Sequence, residues 1–63
     1  MVTLGDLMFL VNDSANVQIL DNETSEVLIE DTASDVDAEE YEDCPIMDIY
    51  AWENRLVICI EVM

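Results

Sequence analysis

IMDIYAWENRLVICIEV, residues 46–62, is the stretch that decides the fold. Two apolar runs flank a short polar break. Met47, Ile49 and Ala51 recur at every second position of the first run, and Leu56, Ile58 and Ile60 do so in the second. A period of two is the mark of a strand, because successive side chains point to opposite faces. Asn54-Arg55 supplies a two-residue turn region, so the stretch reads as a β-hairpin. Asp48, Tyr50 and Trp52 alternate with the core positions, and Val57 and Cys59 share their side. The hairpin therefore carries a second face, partly aromatic.

Working outward, NVQIL (16–20), DNETS (21–25) and EVLIE (26–30) read as a first hairpin. Val17 and Ile19 are expected to face the core together with Val27 and Ile29. Glu26 and Glu30 then face away, with Leu28 between them. At the start, Thr3 followed by Asp6 approximates a capping box and opens a helix. Leu4, Leu7, Met8 and Val11 give its buried stripe. Phe9 and Leu10 widen that stripe, so the helix is expected to be mostly covered before NDSAN (12–16) ends it. Between the hairpins, Glu30 to Asp43 holds eight carboxylates in fourteen residues. Ser34 is placed to cap a short helical turn over 35–42, and Pro45 closes the segment. The predicted fold is one α+β domain over 1–63. An N-terminal helix packs on a four-stranded antiparallel sheet of two hairpins, with an acidic connector or short helix between them. The acidic connector is expected to cover part of the Tyr50–Trp52 face.

Composition narrows function. Sixteen acidic residues stand against the single Arg55, giving a formal net charge of -15. That sign argues against direct binding of DNA, RNA or an anionic membrane and favours a basic partner. Yet 52% of the residues are hydrophobic and fall in runs, which supports a folded core despite the charge. MVTLGDLMFLVND has no basic n-region and reads as no signal peptide, and no run reaches the length of a membrane span. A cytoplasmic protein is expected, with Cys44 and Cys59 as reduced, buried thiols.

Catalysis finds little material. Without histidine there is no Ser-His or Cys-His centre, and two cysteines complete no zinc site. Gly5 is the one glycine, so no phosphate-cradling loop exists. Asp35, Asp37 and Glu39 match the first, third and fifth positions of an EF-hand loop. Glu40 stands where glycine is needed and Ile46 where the bidentate glutamate belongs. The expectation is no enzyme, no cofactor and no dedicated metal.

What remains is the charge itself. Same-face carboxylates two apart on a strand are separated by ~6.6 Å, within the range of successive phosphates. Glu26, Glu30, Asp31, Asp35, Asp37, Glu39, Glu40, Glu42, Asp43 and Asp48 are the candidate partner-binding carboxylates. Tyr50 and Trp52 are the candidate anchors, since both residue types are enriched at interface hot spots. Such a surface would fill the groove of a basic nucleic-acid-binding protein. Two alternatives share the composition. One is an interaction module or homodimer pairing through Tyr50 and Trp52, and the other an antitoxin-like neutraliser of a basic toxin.

At NVQILDNETSEVLIEDTASD and DIYAWENRLVICIEV the chain resembles small acidic hypothetical proteins of phages and mobile elements of Gram-positive bacteria. The resemblance covers most of the chain from Thr3 onward. It implies the same helix, hairpin, connector and hairpin order, and it brings no catalytic residues. It also implies a context, because small acidic phage proteins include DNA-mimic inhibitors of host defence. Anti-CRISPR and anti-restriction proteins are among them, with a CRISPR effector the most specific target of that class.

Overall fold

The computed structural model describes residues 2–36 and 39–62. In chain order the elements are helix α1 (Leu4–Met8), strands β1 (Asn16–Asp21) and β2 (Val27–Thr32), a 3-10 turn (Glu39–Tyr41), and strands β3 (Ile46–Trp52) and β4 (Arg55–Ile60). Both predicted hairpins form. The four strands make one sheet in the order β2-β1-β4-β3. The hairpins meet through β1 and β4, which run parallel, so the sheet is mixed and not antiparallel throughout. The reason lies in strand composition. β1 and β4 carry the most deeply buried residues, Val17 to Ile19 and Val57 to Ile60, which suits central strands. β2 and β3 carry Glu30, Asp31 and Asp48, and charge belongs on the edges, where it discourages pairing with other chains. Among the described residues no helix is long and apolar enough to cross a membrane.

The core lies on one side of the sheet. Val17, Ile19, Ile58 and Ile60 are buried there beneath Leu4 and Cys44. Each fully buried aliphatic side chain contributes about 1.5–3 kcal/mol. Leu7, Met8, Val11, Val36 and Tyr41 pack around them. The cap of α1 forms as read: Asp6 N–H donates to Thr3 Oγ1 at 3.3 Å and Thr3 N–H to Asp6 Oδ2 at 3.2 Å. The helix is shorter than its stripe. It ends at Met8, and Phe9 and Leu10 are 90% and 84% exposed, not covered. Leu4 is the buried residue of α1, while Leu7 and Met8 pack against the core only partly buried.

Two bulges revise the faces. Ile19 pairs with Ile29 while Leu20 pairs with Val27, leaving Leu28 as the extra residue. Leu28 packs toward the core in the place expected for Val27, which moves to the opposite face beside Leu20. In β3 the register shifts between Ile46 and Asp48, so Met47 is the extra residue and Ile46 pairs with Ile60. The turn of the second hairpin is Glu53-Asn54, with φ of 49° and 64°, and not Asn54-Arg55. Positive φ at both central residues is the twist-compatible form, which Asn tolerates well. Arg55 therefore opens β4, paired with Trp52.

Candidate functional site

The connector travels from edge strand β2 to the opposite edge strand β3, and it does so on the helix side. Leu4 N–H donates to Cys44 O at 3.0 Å and Gly5 N–H to Glu42 O at 2.9 Å. Those are free N-terminal amides of α1, satisfied by the connector's backbone. A Cβ on Gly5 would meet Glu42 O at 3.1 Å, so glycine permits this close approach. Among the described residues from 35 to 42, no α-helix follows Ser34. Asp35 and Val36 N–H both donate to Thr32 O in a turn, and Asp35 Oδ2 accepts from Thr32 Oγ1 at 3.1 Å. Further on, Glu39–Tyr41 forms a single 3-10 turn. The candidate partner-binding carboxylate Asp37 lies outside the described residues.

The described residues of the connector thus lie on the helix side, and the Tyr50–Trp52 face is exposed. Antiparallel and parallel registers set that face out in rows across the sheet. Glu30 pairs with Gln18, Gln18 with Val57, and Val57 with Tyr50. In the next row Val27 pairs with Leu20, Leu20 with Cys59, and Cys59 with Asp48. At the far end Arg55 pairs with Trp52. A shallow groove on this face is lined by Gln18, Leu20, Ser25, Val27, Tyr50 and Trp52. Tyr50 is 44% exposed and Trp52 53%.

One polar chain crosses this open face. Gln18, a buried amide, donates from Nε2 to Glu30 Oε2 at 2.9 Å. Glu30 Oε1 lies 3.5 Å from Arg55 Nη1, and the Arg55 guanidinium sits 5.8 Å from the Trp52 ring centroid. Half-exposed ion pairs contribute at most about 1 kcal/mol, so this arrangement matters more for orientation than for stability. Burial first, and then the Asp48 carboxylate, push the Cys59 thiol above its usual value. It remains a protonated, weakly nucleophilic thiol at neutral pH.

The candidate residues separate into groups. Asp35, Glu39, Glu40, Glu42 and Asp43 belong to the connector on the helix side. Glu30, Asp48, Tyr50 and Trp52 share the open face. Glu26 lies at the turn of the first hairpin, and Asp31 pairs with Val17 on the helix side of the sheet. Glu26 and Glu30 therefore do not form one strand-borne array, because the Leu28 bulge breaks the alternation between them. The edges have their own carboxylates: Ile49 N–H donates to Asp48 Oδ1 at 2.9 Å, and Thr32 N–H to Asp31 Oδ1 at 2.8 Å. Sequence reading missed the contribution of Arg55, Val27 and Leu20 to the open face. A two-residue turn one position earlier would have placed Arg55 opposite Trp52.

Comparison with protein-family models, curated proteins and solved structures gives no match.

Proposed function

We propose that the chain is a non-enzymatic binding protein that occupies the nucleic-acid groove of a basic protein, in the manner of a DNA mimic. One observation carries the reading. Fourteen of the fifteen described acidic residues are exposed, and the single arginine is engaged within the fold by Glu30. The carboxylates are thus presented outward, from the strands and from the segments between them. Such a surface draws a cationic groove by long-range steering, and the attraction falls steeply with salt. A bacterial nucleic-acid-binding protein such as a CRISPR effector or restriction enzyme fits, with the cytoplasm as the place of action.

Pairing of two copies through Tyr50 and Trp52 is the second reading, favoured by the exposure of both rings. It must bring together two chains of charge -15 with no free cation between them. Affinity capture from a bacterial lysate tests the first reading. The expected result is one nucleic-acid-binding protein, displaced by free duplex DNA and by high salt. Recovery of no basic protein, with the chain eluting as a salt-independent dimer, would reject it.

A further inference from the structure

We propose that the open face of the sheet, and not the acidic connector, takes the arginine side chains of the basic partner. This rests on the reading above and names both the face and the group it binds. The connector and the open face lie on opposite sides of the sheet. An ordinary interface removes about 800 Å² from each partner, and the whole chain exposes 4258 Å². One standard interface therefore engages one side.

Two observations select the open side, and a third selects the occupant. The first is that this face already holds a guanidinium. Arg55 lies over the Trp52 ring and against Glu30, a carboxylate and an aromatic plane converging on one cation. Asp48 and Tyr50 put a second carboxylate and a second aromatic ring on the same face, here two residues apart on one strand. A planar guanidinium stacks on such a ring while it bonds the carboxylate, whereas an ammonium offers only a point charge.

The second is rigidity. Tyr50 and Trp52 stand on a hydrogen-bonded strand, and Tyr50 lies directly across from buried Val57. On the helix side the exposed aromatic is Phe9, which follows the last residue of a five-residue helix. Binding to side chains already held in place costs less ordering entropy. The third is charge. A second copy would bring its own -15 charge and one arginine already in use, while an arginine-bearing partner complements the carboxylates around the groove.

Matched variants of the full chain separate the two sides. The probe is a labelled peptide of alternating arginine and threonine, followed by fluorescence anisotropy at low salt. Tyr50→Ser and Asp48→Asn are each expected to weaken binding about tenfold, the size of a lost stacked or charge-assisted contact. Phe9→Ser and Glu40→Gln, the same changes on the helix side, are expected to stay within about twofold. Arg55→Gln removes the resident guanidinium and is expected to tighten binding about threefold. A lysine version of the peptide should bind more weakly. Urea midpoints check that each variant folds. Should Tyr50→Ser unfold, backbone amide shifts of the unaltered chain decide, with β3 and β4 expected to move on titration. Loss confined to Phe9→Ser and Glu40→Gln would overturn the assignment while leaving a basic partner in place. No binding of the arginine peptide at all would overturn both readings. A dimer broken by Tyr50→Ser in a chain that ignores the peptide would make a second copy the occupant.

Discussion

The two faces of the sheet use similar strands and are finished differently. On the helix side, Ile58 and Ile60 are closed over by Leu4 and Cys44. On the other side, Val57 is only 1% exposed although it stands outside the cluster beneath Leu4 and Cys44. Its cover is lateral, from Gln18 and Tyr50 on the neighbouring strands. Burial alone therefore does not reveal which face has a lid. The edge strands do not mark the distinction: on β3 the expected core residue Ile49, opposite Ile58 on the helix side, is 44% exposed, as is Tyr50 on the open face. A face closed by a lid is specified by volume. A face closed only by its own side chains is left available to a partner.

The sharpest test of that difference compares adjacent residues of β4. Ile58→Ala should cost about 3 kcal/mol, because it opens a cavity under a lid that cannot collapse freely. Val57→Ala should cost about half as much, since water reaches the site and Tyr50 can settle toward it. Urea unfolding measures both. A 63-residue chain is expected to have only about 3–9 kcal/mol in total, so Ile58→Ala should leave it close to unfolding. Equal costs would break the comparison.

The Leu28 bulge offers the next test. Leu28→Ser should destabilise by about 2 kcal/mol, and Val27→Ser, on the open face, by less than about 0.5 kcal/mol. The reverse order would return the strand to regular alternation. Phe9→Ser should change stability by no more than about 0.5 kcal/mol despite the size of the side chain, because the ring is almost fully in solvent.

The smallest effect concerns Cys59. Its folded pKa is raised above that of the unfolded chain, so its stabilising contribution is complete below the unfolded value. That contribution is lost as pH rises through the folded value, because the unfolded state gives up the proton first. Unfolding midpoints should thus fall on the alkaline side of the ordinary thiol range, and Cys59→Ala should flatten that part of the profile. A profile unchanged by the substitution would remove the link.

Much of this could be read from the residues. The Thr3–Asp6 cap, both hairpins and the aromatic alternation of Tyr50 and Trp52 each depend on local chemistry, and each is visible in a few positions. The strand order was legible in principle: LVICI has no charge on either face and belongs in the centre. It was not read that way because connecting hairpins in sequence favours neighbours in sequence. The bulges at Leu28 and Met47 were not legible, since an apolar residue one step out of phase looks the same in either register. Phe9 and Leu10 misled for a related reason. An apolar residue at helical spacing signals burial only if the helix continues, and α1 stops at Met8. The candidate site was named residue by residue but placed as one surface. The connector's route across the helix side depends on which edges β2 and β3 occupy, and that is a property of the whole sheet.

Parallel pairing of β1 with β4 is what makes one face covered and the other open, so it is the point to test first. Nuclear Overhauser contacts between backbone protons across the strands decide it directly. Contacts joining Gln18 to Val57 and Leu20 to Cys59 are expected, with none between β2 and β3. Contacts between residues 27–32 and 46–52 would instead place the hairpins side by side through their acidic strands, and the division into two faces would fall with them.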